Sequence, residues 1–249
     1  MKPRGWSTTD VGQKRDHNED SFLCNDTLGL YAVADGMGGH QGGEQASRMA
    51  VEILEHEMTA RLPHGGNGES ATNIAEAMRE ATVRASHEIY ESAQVNPERA
   101  GMGTTLTSLC FHGAGLTLCH VGDSRAYLVR DGRARQLTED HSWIQEQVRA
   151  GLLSPGDAIV SRFRNIITRS VGFESTVNPD LFTMPVEAGD CYLICSDGLS
   201  NYFSVEEIGR VLGAQFYGDA GQALVEIANQ RGGDDNITCV VIYVANTLG

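Results

Sequence analysis

Four short stretches of this chain set an aspartate beside a glycine or another turn-forming residue, at the border of an apolar run. They are Val33–Ala34–Asp35–Gly36, His120–Val121–Gly122–Asp123–Ser124, Ile194–Cys195–Ser196–Asp197–Gly198 and Asp234–Asp235–Asn236–Ile237. Singly, each reads as a turn, because an Asp side chain can bond its own local backbone. As a set they imply more. Strand ends in a compact sheet converge on an edge or cleft, and carboxylates gathered there repel one another unless protonated or neutralised by cations. An all-oxygen donor set suits hard divalent cations such as Mg²⁺ or Mn²⁺. The chain has no His-x-x-x-His or Cys-x-x-Cys pair of the kind that recruits zinc. Two hard ions side by side position and activate a water for in-line attack on phosphorus.

The segment Lys14–Arg15–Asp16–His17–Asn18–Glu19–Asp20 brings an opposite charge. Arg15 could clamp a phosphate through paired N–H donors, and Glu19 and Asp20 could hold metal-bound waters. By composition alone the same segment reads as a solvated polar stretch.

These residues need elements to carry them. Ser21–Cys24 and Leu28–Ala34 are short apolar runs split by Asn25–Asp26–Thr27, which predicts two strands and a turn. A glycine-rich loop, Gly36 to Gly43, follows. The spacing of Ala46, Met49, Ala50, Ile53 and Leu54 predicts a helix over 42–62, stopped by Pro63 and Gly65–Gly66. Ile74, Met78, Ala81, Ala85 and Ile89 predict a second over 70–93. Strands are predicted at Thr104–Phe111 and Leu116–Val121 around a hairpin at His112–Gly115, and at Arg125–Arg130 and Ala134–Leu137 around Asp131–Gly132. Further strands are predicted at Ile166–Val171, Leu181–Met184, Cys191–Cys195 and Ile237–Val244. Ser204 with Glu207 is a capping box opening a helix over 204–213, and Asp219 opens another that ends at Gly232–Gly233. Two helices in succession do not make the alternating rhythm of a parallel sheet. No linker composition or repeat interrupts the 249 residues, so one α+β domain is expected, with an irregular insertion at about 142–165.

Charge narrows the partners. The chain carries 33 Asp and Glu against 19 Lys and Arg, a net −14. That disfavours a general nucleic-acid binder and a polybasic membrane anchor. No run reaches the roughly 18–20 apolar residues of a membrane span, and the basic N-terminus is not followed by a secretory signal's apolar stretch. The six cysteines form no metal-binding pair and sit mostly in apolar runs, so reduced thiols in a cytoplasmic protein are expected. If Gly113–Ala114 turns the hairpin, Cys110 faces Thr117 and not Cys119.

In order along the chain, the blocks Arg15–Asp20, Val33–His40, Gly101–Thr105, Val121–Arg125, Leu137–Ser142, Ile167–Gly172, Cys195–Leu199 and Asp234–Thr238 resemble the metal-dependent protein phosphatases, the protein phosphatase 2C-like family, in their compact bacterial form. The resemblance implies a four-layer α-β-β-α sandwich of two antiparallel sheets flanked by helix pairs. It implies that Asp35 bridges two Mn²⁺ or Mg²⁺ ions, with the Gly36 carbonyl on one of them. Asp197 and Asp235 would complete the second, Asp235 being the Asp directly before Asn. Asp123 would help hold a third, weaker ion with Asp197 shared. Arg15 would bind the substrate phosphate, and Glu19 and Asp20 would act through metal waters. Met37 follows the Asp–Gly pair, so His40 is the nearest histidine to serve as proton donor; its other reading is a loop residue capping the next helix. The insertion would be a flap beside the cleft; Arg162, Phe163 and Arg164 in it could touch substrate, their other reading being a solvated loop.

The activity so implied is hydrolysis of phosphoserine and phosphothreonine on proteins by direct attack of a metal-bridging hydroxide. The enzyme would be a monomer opposing a bacterial Ser/Thr kinase. Two alternatives stand beside it: a two-metal phosphatase of small phosphate esters, and a non-catalytic phosphoprotein-binding module of the same fold. Cys195 is not expected to be a nucleophile, because it lies in an apolar strand without a Cys-x₅-Arg loop.

Overall fold

A computed structural model describes residues 2–62, 69–113, 115–154, 163 and 166–246, the side chain of His40 excepted. In chain order the elements are β1 (Lys2–Asp10), β2 (Asp20–Asn25), β3 (Leu30–Met37), α1 (His40–Arg61), α2 (Ala71–Val95), a 3₁₀ turn (Pro97–Arg99), β4 (Gly103–Thr104), β5 (Leu106–His112), β6 (Gly115–Val121), β7 (Arg125–Arg130), β8 (Arg133–Gln136), α3 (Trp143–Arg149), β9 (Asp180–Pro185), β10 (Cys191–Cys195), α4 (Asp197–Ser200), α5 (Val205–Ala214), α6 (Tyr217–Gln230) and β11 (Ile237–Ala245). One sheet runs β1-β11-β10-β7-β8 and the other β2-β3-β5-β6-β9, with β4 paired to β3. Every strand pairing is antiparallel.

Period-two alternation builds the layers. In β3, Leu30, Ala32 and Ala34 pack with α1 and α2, while Tyr31 and Val33 face the other sheet. In β10, Cys191, Leu193 and Cys195 pack with α5 and α6, while Tyr192 and Ile194 point inward. Strand β11 repeats the division, with Cys239 and Val241 toward the helices and Val240, Ile242 and Val244 between the sheets. The result is three apolar layers inside four layers of secondary structure, the α-β-β-α sandwich that the family resemblance implies. Helix α2 is capped by Ser70, whose hydroxyl accepts from Asn73 N–H at 3.1 Å. Helix α5 opens with the expected capping box of Ser204 and Glu207.

Two elements depart from expectation. Strand β1 has no strong apolar alternation and escaped prediction. It is an edge strand whose backbone pairs with β11 along its whole length, from Lys2 opposite Ala245 to Asp10 opposite Ile237. The strand predicted at Ile166–Val171 does not form. Only isolated bridges remain there, Ser142 to Ile167 and Thr104 to Val171. Its backbone bonds are scattered over separate partners instead of one ladder: Ile166 O accepts from Trp143 N–H, Thr168 N–H donates to His141 O, Val171 pairs with Thr104, and the Arg169 side chain reaches Asp180. Cys110 lies opposite Thr117, and Ser108 opposite Cys119. All six cysteines are free thiols and five are buried. Of the predicted flap, Trp143–Arg149 forms α3, while Arg162 and Arg164 lie outside the described residues.

Candidate active site

The alternation of β3 runs Tyr31, Val33, Asp35. The third member of this inward-facing row is a carboxylate at the point where the two sheets open. Asp20, the first residue of β2, lies directly across from Asp35 in the antiparallel register. Asp123 follows β6 by two residues, Asp197 opens α4 directly after β10, and Asp235 precedes β11. Asp35, Asp123, Asp197 and Asp235 line one cleft of about 280 Å³ together with Arg15, Glu19 and Gly36. Of the other predicted residues, Asp20 is held beside this cleft, its Oδ2 accepting from Ser196 Oγ at 2.8 Å. His40 is the first residue of α1, and its side chain lies outside the described set.

Backbone bonds hold the carboxylates in place. Asp35 N–H donates to Thr105 Oγ1 and Asp35 O accepts from Thr105 N–H, both at 2.9 Å. Gly36 N–H donates to Glu19 O at 3.1 Å. A Cβ on Gly36 would lie 2.1 Å from Gly43 O, so only glycine lets the loop close over this carbonyl. Gly198 meets the same limit 2.0 Å from Asn236 O. Gly122 donates to His141 Nδ1 at 3.0 Å and its carbonyl accepts from His141 N–H at 2.7 Å, fixing the turn that carries Asp123.

Asn236 is the positioning residue that sequence reasoning passed over. Its amide donates to Val11 O (2.9 Å) and His17 O (2.8 Å), and its Oδ1 accepts from Glu19 N–H at 2.8 Å. It therefore ties the loop bearing Arg15 and Glu19 to the turn bearing Asp235. The signal was its place directly after that Asp. Ser196 and Thr105 act similarly on Asp20 and Asp35. His120 and His112 are structural: His120 bonds Thr107 Oγ1 and Glu139 O, and His112 bonds Thr117 Oγ1.

The electrostatics are those of a carboxylate cluster short of cations. Burial, then repulsion from Asp20, Asp197, Asp123 and Asp235, holds Asp35 well above the usual carboxylate range. Burial, then Asp197 and Asp140, pushes Asp123 up to about 8 despite the opposing pull of Arg125. Asp20 rises to about 7, chiefly through burial, and its Oδ1 is buried without a hydrogen-bond partner among the described residues. Burial and Asp235 raise Asp197. Among the described residues lining the cleft, Arg15 is the cation, 2.7 Å from Asp235 Oδ2 and about half exposed. This donor set fits hard divalent cations: oxygen only, crowded, and with an orphaned buried oxygen beside it. Among the described residues, no three acidic, imidazole or thiol groups converge into an all-protein cage. One or two carboxylates per ion, with water completing the shell, is the pattern of Mg²⁺-type sites.

The chain belongs to the protein phosphatase 2C family, whose model matches residues 11–240, and it is an enzyme of the metal-dependent serine/threonine phosphatase class. It is 37% identical over 241 residues to the serine/threonine phosphatase Stp of Listeria monocytogenes, covering 94% of this chain and 93% of the relative. The crystal structure of the Mycobacterium tuberculosis phosphatase PstP/Ppp superposes with a TM-score of 0.90 at 35% identity, covering 99% and 100% of the two chains. The catalytic domain of PstP in complex with two manganese ions is similar at TM-score 0.85 and 36% identity, covering 98% and 99%. Among the described residues no helix is long and apolar enough to cross a membrane.

Proposed function

We propose that this chain, as one catalytic domain, removes phosphate from phosphoserine and phosphothreonine on proteins, using Asp35, the Gly36 carbonyl, Asp197 and Asp235 to hold two Mn²⁺ or Mg²⁺ ions. Asp123, sharing Asp197, would hold a third. When bound, such ions supply an activated water for in-line attack and offset charge on the phosphoryl oxygens. Arg15 has the reach and exposure to exchange Asp235 for a substrate phosphate, which it can bind through two parallel N–H donors. Glu19 and Asp20 orient waters around the ions, and Asn236 keeps Arg15 and Glu19 in register with Asp235. His40, at the start of α1, is assigned to proton delivery to the departing alkoxide. The working partners are phosphoproteins in the cytoplasm and a Ser/Thr kinase whose products the enzyme reverses, and the enzyme acts as a monomer.

The observation that carries this reading is the gathering of Asp35, Asp123, Asp197, Asp235 and Arg15 in one cleft, with the buried carboxylates raised by burial and then by mutual repulsion. The test is hydrolysis of a phosphothreonine peptide beside free nucleotides, with Mn²⁺ and with excess chelator. Activity should favour the peptide and vanish on chelation. Asp35→Asn should lower turnover by more than ~100-fold, beyond what loss of an outer-shell partner causes. Chelator-resistant hydrolysis would refute the metal assignment, and preference for nucleotides would make the enzyme a small-ester phosphatase.

A further inference from the structure

A second and larger hollow, of about 640 Å³, adjoins the carboxylate cleft. The two share Met37 and Ile167 as a common wall. The far side of the hollow is built by the irregular segment 168–178, with Arg169, Phe173, Glu174 and Val177 on its lining. This volume lies in the range of ~300–1,000 Å³ typical of ligand sites.

The segment lacks regular secondary structure but is stapled along its length. Val171 exchanges both backbone bonds with Thr104, at 2.8 and 2.9 Å. Gly172 N–H donates to Ser86 Oγ at 3.0 Å, and that hydroxyl donates to Glu174 O at 2.9 Å. Arg169 Nη1 donates to Asn178 O at 3.0 Å and Asp180 Oδ1 at 2.7 Å. A wall already ordered in this way loses little conformational freedom on binding. Yet it holds Phe173 outward, 61% exposed, where a large ring gains nothing from the core. The charge balance is also one-sided. Arg169 is engaged by Asp180, so among the described residues the exposed Glu174 carboxylate is the charge of the lining left without an ion pair.

We propose that this hollow is the specificity subsite for the residues flanking the phosphorylated Ser or Thr, and that it selects an apolar residue for Phe173 together with a basic residue for Glu174. The occupant is the substrate chain itself, because the hollow opens from the carboxylate cleft across the shared wall of Met37 and Ile167, within reach of the residues next to a phosphoresidue bound there. The inference rests on the protein phosphatase reading.

The test compares p-nitrophenyl phosphate, which reaches only the cleft, with phosphothreonine peptides whose flanks are apolar-basic, apolar-acidic or all-glycine, at saturating Mn²⁺. The wild type should favour the apolar-basic peptide. Phe173→Ala should raise KM for that peptide about tenfold, the scale expected for losing burial of an aromatic ring. It should leave kcat and KM for p-nitrophenyl phosphate unchanged. Glu174→Lys should reverse the preference between basic and acidic flanks. An unchanged melting temperature for both variants shows that the fold is intact. Indifference of the wild type to flanking sequence, or equal loss on peptide and aryl phosphate in Phe173→Ala, would overturn the subsite while leaving the phosphatase reading in place. A wild type inactive on every one of these phosphates would overturn both.

Discussion

Two kinds of buried aspartate occur in this molecule, and their contrast says what the cleft is for. Asp190 has a side chain only 1% exposed, and burial alone would raise its pKa. It is instead lowered, because Arg130 binds both carboxylate oxygens at 2.6 and 2.7 Å, Glu187 N–H donates at 2.9 Å and the Tyr192 hydroxyl at 3.1 Å. Asp20, Asp35 and Asp123 are raised, because burial and repulsion meet no comparable set of donors. Asp190 thus has its countercharge in the fold, whereas the cleft aspartates lack a matching set of donors among the described residues, which supports the proposal that metal ions neutralise them. Asp190→Asn should destabilise the protein by about 3 kcal/mol at pH 7, the cost of breaking a buried ion pair. The sign with pH follows from the lowered pKa. The carboxylate's contribution is complete above the unfolded value near ~3.9 and is lost as pH falls through the lower folded value. Urea denaturation should therefore show wild type and variant converging below about pH 4.

At the scale of elements, the site is a set of strand ends whose geometry depends on backbones meeting without side chains between them. The turn from β10 into α4 lies against the turn that leads into β11, and Gly198 is the point of closest approach, 2.0 Å from Asn236 O to a would-be Cβ. Asp197 and Asp235 sit on the two sides of this contact. Gly198→Ala must push the two turns apart, costing about 1–3 kcal/mol as overpacking does, and it should weaken Mn²⁺ binding as well. A chemical denaturation curve with a Mn²⁺ titration of activity checks both. Loss of stability with full metal affinity would show that the spacing of these two turns does not set the site. The segment 166–178 makes a related point. Only its first part, Ile166–Val171, reads as a strand in the sequence, and bonds to Ser86, Thr104 and Asp180 hold the segment as a wall instead.

For the whole molecule, the net charge of −14 is partly local. Several of its carboxylates face one cleft, and their repulsion is a standing cost of the metal-free fold. With Asp20 raised to about 7 and Asp123 to about 8, the folded state holds protons that the unfolded chain has released. Stability of the chelated protein should then fall as pH rises from about 4 through these folded values, the reverse of the Asp190 effect. Under the proposed function, Mn²⁺ would remove the penalty. At 100 times its dissociation constant it should add about 2.7 kcal/mol, each kcal/mol raising Tm by roughly 2–4 °C in a chain of this size. Melting curves at pH 6 and pH 8, with and without Mn²⁺, should show the larger rise at pH 8. A melting point indifferent to millimolar Mn²⁺ would contradict this account of the acidic excess.

The sequence by itself determined most of the strands and helices and the identity of the acidic residues. The short apolar runs Leu30–Ala34 and Cys191–Cys195 and the helical spacing in Ala46–Leu54 are local patterns, and burial enforces strands and helices wherever such patterns occur. The Asp–Gly pairs were legible for the same reason, since a turn after a strand is written in neighbouring residues. Strand β1 was not legible, because an edge strand such as Lys2–Asp10 is specified by its partner's backbone and not by its own apolar content. Nor was the role of Asn236, whose three partners at Val11, His17 and Glu19 lie over 200 residues away in the chain. The sharing of Met37 and Ile167 between the cleft and its neighbouring hollow was equally hidden. These features depend on which distant segments the closed sheets bring into contact. Only the packing of the two sheets against each other decides that.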